Sequence, residues 1–174
     1  MKIMFISWLM LAFAVLLLLA VQPCSAAGDS LPHVEFNTSG ASPRPVESLT
    51  ERSIVRDYGH AWKSLADAFE QNSPQLLGGY FVGKAGDALA AAVAGQKTSG
   101  IRSRCLNQDH KLEVVFYSPE GDVMELHDTA QCDLQLVDGG KVVHDEHVVA
   151  HYVVLMTSAA DRWVVRQLQA VPRF

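Results

Sequence analysis

Two different hydrophobic periods divide this chain. In its first half, apolar residues recur at three- and four-residue steps through Ile54, Tyr58, Trp62, Leu65 and Phe69. This spacing places them on one face of an amphipathic helix, which we expect to end near Asn72. From about residue 100 onward the period is two, which is typical of strands with one buried face.

Punctuating residues predict the ends of these elements. Ser48 and Glu51 have the spacing of a capping box, which predicts the start of the first helix. Ser73-Pro74 should begin a short helix that Gly78-Gly79 ends, and an alanine-rich third helix should run from 84 to 97 and close at Gly100. Four strands are predicted, at 100–117, 122–137, 141–157 and 162–171. Helices followed by an antiparallel meander indicate an α+β fold.

Turn lengths then predict a register for the strands. If the turns at 119–121 and 138–140 each have three residues, Ser118 faces Asp122 and Val137 faces Lys141. One face is then apolar and must be covered by the helices: Leu112, Val114, Phe116, Met124, Leu126, Ala130, Cys132, Leu134, Leu136, Val142, Val148, Ala150, Tyr152 and Val154. The opposite face is polar: Glu113, Glu125, His127, Thr129, Gln131, Asp133, Asp145, His147 and His151.

The N-terminus differs in composition from the rest. Lys2, an apolar run to Val21 and small residues to Ala27 are typical of a signal peptide, and the run is also long enough for an uncleaved membrane anchor. Under both interpretations Lys2 stays on the cytoplasmic side, by the positive-inside rule, and the rest of the chain is exported. We therefore expect a leader at 1–27, a flexible linker at 28–46 and one domain at 47–174, periplasmic or secreted and tethered if the leader is retained.

Charge and cysteine content narrow the class of protein. The chain has 14 Lys and Arg against 19 Asp and Glu, a net charge of −5, which repels nucleic acid. Outside the leader the cysteines are Cys105 and Cys132. Unbroken alternation points them to opposite faces, with an offset of about 10 Å along the strand against a limit of about 7 Å for a disulfide. We therefore predict that they are not joined, unless a bulge between Asn107 and His110 turns Cys105 inward.

This order of elements resembles the cone-shaped superfamily of nuclear transport factor 2, the SnoaL-like cyclases, scytalone dehydratase and ketosteroid isomerase. The features that carry the resemblance are the long first helix with Tyr58 and Trp62, the short helix from Pro74 to Gly79 leading into Tyr80-Phe81, and the late hairpin ending in 162–165. It looks closest to accessory domains of membrane-tethered proteins, and there the resemblance implies binding or assembly rather than chemistry. Because this fold hosts both enzymes and non-enzymes, it does not choose between them.

Asp128 and Tyr152 are the candidate catalytic residues. Asp128 is the carboxylate in the middle of the predicted apolar face, and Tyr152 lies diagonal to it on the next strand. Desolvation raises the pKa of a carboxyl group in an apolar pocket, which suits general acid–base catalysis. The simpler interpretation is a structural Asp bonded to a helix end or to a helix-borne cation such as Arg56. The pattern does not place an aspartate–histidine dyad.

Other candidates have equally simple interpretations. Tyr58 and Trp62 could form a ligand platform but are commoner as core residues. On the outer face His127 is predicted opposite His151, and Gln131 opposite His147, within reach of a shared metal ion. A solvated sheet face explains these side chains as well, so we predict neither a metal site nor a cofactor.

The sequence thus predicts a non-catalytic binding or assembly module of the cell envelope. Its partner would be an unidentified protein or a small apolar ligand, with membrane contact only through the N-terminal segment and a homodimer through the outer sheet face as one arrangement. The alternative is a small-molecule isomerase, dehydratase or hydrolase that uses Asp128 and Tyr152.

Overall fold

A computed structural model describes residues 30–174, so the predicted leader at 1–27 lies outside the described residues. The elements in chain order are β1 His33–Asn37, α1 Ser48–Glu70, a 3₁₀ helix Pro74–Leu77, α2 Gly83–Ser99, β2 Arg102–Tyr117, β3 Val123–Asp138, β4 Lys141–Ser158 and β5 Trp163–Val171. They form a five-stranded mixed sheet in the order β1-β2-β3-β4-β5, with β1 parallel to β2 and the other neighbours antiparallel. Within residues 30–174, no helix combines the length and apolar character needed to cross a membrane.

The long helix α1 supplies most of the helical side of the core. Its predicted apolar stripe is correct: Ile54, Tyr58, Trp62 and Leu65 are buried against the sheet. The predicted capping box is not formed, because Ser48 is already the first helical residue and Glu47 precedes it as the cap. The Glu47 carboxylate instead accepts hydrogen bonds from Arg44 and from the Thr50 hydroxyl. The short helix after Ser73 and the left-handed Gly100 at the end of α2 (φ 75°) agree with the prediction.

The segment predicted as a flexible linker is in part a strand. Residues His33–Asn37 pair in parallel with β2, and Pro43 forms a further bridge to Tyr117. Val34 and Phe36 alternate inward and pack against the core, which stabilises this edge strand. A run of five residues among Gly, Ser and Pro is too short to show a strand period by itself.

A bulge in β2 overturns the prediction for the cysteines. Pairing with β3 runs as predicted through Leu112↔Asp128 but shifts between Leu106 and Asp109, where Asn107 takes a left-handed conformation (φ 52°). Beyond the bulge Cys105 turns inward, and its Cα lies 5.6 Å from that of Cys132, to which it is joined by a disulfide. The prediction of two free thiols was wrong because it assumed unbroken alternation.

The β3–β4 register differs from the prediction by two residues. The turn has two residues, Gly139-Gly140, both with positive φ, and one extra residue of β4 is accommodated between Leu136 and Val137 of β3. A shift of two keeps each side chain on its predicted face but changes every partner. Two residues that were predicted on the covered apolar face are instead exposed: Phe116 is 40% and Val142 49% exposed. Phe116 follows a register shift in β2, and Val142 lies near the hairpin tip.

Candidate functional site

Asp128 lies at the centre of the inner sheet face, as predicted, and is fully buried. One of its oxygens, Oδ2, accepts a hydrogen bond from the Tyr58 hydroxyl at 2.7 Å. The same oxygen lies 2.9 Å from Nδ1 of His110 on β2. A buried carboxylate requires such partners, since an unpaired one costs several kcal/mol.

His110 is the residue that the sequence analysis missed. It pairs with Ala130, which places it diagonally beside Asp128 on the inner face. Side-chain alternation along β2 indicates this position, because His110 is two residues from Leu112 and four from Val114, both of which were assigned to that face. Although no dyad was predicted, the structure contains a buried Asp128–His110 pair, with side chains 0% and 1% exposed.

Tyr58 and Trp62 enclose this pair from α1, one helical turn apart. Burial raises the pKa of the Tyr58 phenol well above its ordinary value, and the Asp128 carboxylate raises it further. Tyr58 therefore stays protonated and donates its hydrogen bond. The Trp62 ring lies 4.5 Å from the His110 ring, centroid to centroid, and 5.5 Å from the Tyr152 ring. Both residues predicted as a ligand platform thus contact the buried pair.

Tyr152 lies directly opposite Asp128 on β4, not diagonal to it. It is only partly buried, and desolvation, followed by the charge of Asp128, raises its pKa. Among the described residues, the side-chain hydrogen bonds of Asp128 come from Tyr58 and His110, so Tyr152 is its neighbour but not its partner.

Arg56, which was considered as a helix-borne partner for Asp128, forms an ion pair with another carboxylate. Arg56 donates to its neighbour Asp57, at 2.8 Å from Nε and 3.1 Å from Nη2. Asp57 is also buried and accepts the backbone N–H of Trp163 at 2.8 Å, which ties α1 to the start of β5. Among the described residues the buried carboxylates are therefore Asp57 and Asp128, and each ties α1 to the sheet.

An open space lies beside the buried pair. A cavity of about 350 Å³, here called the apolar cavity, lies between α1, α2 and the sheet, and its lining is mostly apolar, including Trp62, Phe69, Leu89, Tyr152 and Leu168. A chamber of about 190 Å³, here called the inner chamber, shares Trp62 and Tyr152 with it and is also lined by His110. Trp163 packs elsewhere, near Tyr117. The cone is therefore not filled by its own aromatic side chains.

Three buried side-chain polar atoms have no hydrogen-bond partner among the described residues. They are Nε1 of Trp62, Nε2 of His110 and Oδ1 of Asp128, and Trp62 and His110 line the inner chamber. Leaving a buried polar atom unpaired costs about 1–3 kcal/mol.

The outer face does not bring its histidines together as predicted. His127 lies opposite Val153 and Gln131 opposite Val149. The His127 ring instead stacks on Phe174, with centroids 4.1 Å apart. Among residues 30–174 no group of three or more His, Cys, Asp or Glu side chains is arranged to hold a metal ion.

Comparison with known proteins supports the fold. The structure is similar to the intermembrane-space region of the chloroplast protein ARC6, with a TM-score of 0.51 and 17% identity over 74% of this chain and 98% of that one. A candidate scytalone dehydratase from Novosphingobium aromaticivorans gives a TM-score of 0.46 and 15% identity over 71% of this chain and 85% of that one. No protein-family model and no curated protein matches the chain. The chain thus shares its fold with the ARC6 region, and at this identity the likeness shows the fold alone.

Proposed function

We propose that this domain is a non-catalytic binding module of the cell envelope, which holds a small apolar ligand in the apolar cavity. The observation that carries the proposal is the cavity itself, about 350 Å³ in volume and lined by aromatic and aliphatic side chains. Ligand sites are typically concave, mostly apolar and of this size. Neither Asp128 nor His110 lines the apolar cavity, and the burial of this pair favours a structural role for it.

Two further observations support an exported location. The leader pattern at 1–27 is one. The Cys105–Cys132 disulfide is the other, because such bonds persist mainly in oxidising compartments outside the cytoplasm. A reporter enzyme that works only outside the cytoplasm, fused after Phe174, should be active, and an inactive but well-expressed fusion would count against export.

Ligand binding can be tested by filling the cavity. N-phenyl-1-naphthylamine, whose fluorescence rises in apolar surroundings, should bind the wild-type protein. Leu168→Trp places a larger side chain in the cavity and should weaken binding at least about tenfold, a loss of about 1.4 kcal/mol. Val149→Trp, on the exposed outer face, is the matched control and should bind like wild type. Equal binding by all three proteins, each shown to be folded by circular dichroism, would refute the proposed site.

An enzyme is the second candidate, favoured by the unpartnered Nε2 of His110 on the wall of the inner chamber. With Nδ1 held by Asp128, Nε2 is the atom that would exchange a proton with a substrate. Compounds that co-purify with wild type and with His110→Gln can be compared by mass spectrometry. If wild type converts a compound that His110→Gln binds without converting, the enzyme is favoured. If the same unconverted compound co-purifies with both proteins, simple binding is supported.

A further inference from the structure

A second, polar space adjoins the apolar cavity. This polar chamber, of about 440 Å³, lies between the segment 30–33, the C-terminal part of α1 and the start of β2. Its walls carry Lys63, Asp67 and Glu70 from α1 and Arg104 from β2. Four charged side chains thus line the polar chamber, whereas the lining of the apolar cavity includes one of them, Arg104.

The two spaces share one wall. Ala66, Arg104, Cys105 and Gln108 line both of them. The bulge at Asn107 and the disulfide to Cys132 hold this part of β2 in place. The two spaces are therefore adjacent, and an elongated molecule that reached both would have one end among apolar and the other among charged side chains.

The polar chamber has two cationic and two anionic side chains, which form two ion pairs. Lys63 Nζ lies 2.9 Å from both oxygens of Asp67, and Arg104 Nε lies 2.7 Å from Oε1 of Glu70. Among the described residues, the hydrogen bond of the Arg104 side chain is made by Nε, which leaves its two Nη groups for an incoming anion. Two cations beside two anions offer a partner to each charge of a zwitterion, whereas a group of one sign also meets like charge.

We propose that the domain binds a single-chain amphiphile with a zwitterionic head group, such as a lysophospholipid. Its acyl chain lies in the apolar cavity, its anionic group near Lys63 and Arg104, and its cationic group near Asp67 and Glu70. The inference rests on the proposed binding function and adds the class of ligand.

Probes that share one acyl chain isolate the contribution of the head group. Lauroyl-lysophosphatidylcholine, lauric acid and monolaurin are zwitterionic, anionic and uncharged, and glycerophosphocholine is the head group without the chain. Each is titrated against the naphthylamine-loaded protein below its critical micelle concentration. We expect the lysolipid to displace the dye at roughly tenfold lower concentration than the other two lauroyl compounds, because a charge-assisted contact raises the affinity by about that factor. Glycerophosphocholine should not displace it.

Variants of the chamber should remove that preference. Lys63→Gln with Arg104→Gln should bring the affinity for the lysolipid to that for monolaurin. Because the readout is a ratio between two ligands of one protein, a change in stability does not affect it. Lys111→Gln with Arg166→Gln is the matched control, since neither side chain lines the chamber, and should keep the tenfold preference.

The outcomes separate this inference from the proposed function. If the dye binds but the three lauroyl compounds displace it equally, or none of them does, the zwitterionic amphiphile is wrong and the apolar site stands. If the dye does not bind to wild type, the proposed function fails and this inference with it. A preference that survives in the Lys63 and Arg104 variant would refute the polar chamber as the head-group site.

Discussion

An Asp–His pair with the same nitrogen–oxygen distance occurs on each of the two faces of this sheet. On the inner face, His110 Nδ1 lies 2.9 Å from a carboxylate oxygen of Asp128, and on the outer face His147 Nδ1 lies 2.9 Å from one of Asp133. The inner side chains are 1% and 0% exposed, and the outer ones are 58% and 41% exposed. Water replaces a lost partner on the outer face but not on the inner one. Distance alone therefore says little about the contribution of an Asp–His pair to stability.

The disulfide of the inner face should give the largest effect. Cys105 and Cys132 are 27 residues apart, and removing such a cross-link costs about 3.5 kcal/mol through the entropy of the unfolded chain. The double variant Cys105→Ser, Cys132→Ser should lower the free energy of unfolding in urea by about that amount. Reduction of wild type should give a similar loss, and two free thiols in the unfolded, unreduced protein would contradict the bond.

Breaking each Asp–His pair tests the comparison directly. Asp128→Ala removes the acceptor of both Tyr58 and His110 and should lower the free energy of unfolding by about 3 kcal/mol. Asp128→Asn keeps an acceptor and should lower it less. Asp133→Ala, the matched outer change, should leave the urea midpoint unchanged within error. An Asp128→Ala variant as stable as wild type would mean that the inner pair is strained and kept for function.

Removing the hydroxyl of Tyr58 should have a smaller effect on the free energy of unfolding. Tyr58→Phe removes the donor to Asp128 and should cost about 1.5 kcal/mol. Tyr152→Phe is the control on the opposite side of Asp128, and it should cost less because Tyr152 is only partly buried and does not bond to Asp128. Equal losses in the two variants would show that the hydroxyls contribute by general polarity rather than by this bond.

Alkaline pH should weaken the fold through the same residue. The folded-state pKa of Tyr58 is raised above its unfolded value of about 10, so its contribution is complete below pH 10 and is lost as pH rises toward the folded pKa. Each pH unit in that window should cost about 1.4 kcal/mol for this tyrosine. Urea denaturation above pH 10 should show a shallower loss in Tyr58→Phe than in wild type, and identical slopes would refute the shift.

The candidate site was only partly predictable. Local alternation identified the inner position of Asp128, because a side chain two residues from Leu126 and two from Ala130 must share their face. Tyr58 and Trp62 followed from the helical period. His110 was missed although alternation along β2 puts it on the inner face. A polar residue on an otherwise apolar face is easily left out of the predicted core. Partners across β3–β4 were wrong because a two-residue turn and one extra residue moved the register by two.

By itself the sequence determined the order of the elements from α1 onward, the faces of α1, β3 and β4, and the burial of Asp128. These follow from side-chain periodicity, which is local and survives a register shift of two residues. Only the tertiary structure decided the pairing of β1 with β2, the Asn107 bulge, the disulfide and the cavity beside His110. Each of these depends on how distant segments meet, and one left-handed residue, which no hydrophobic pattern records, was enough to reverse the facing of Cys105.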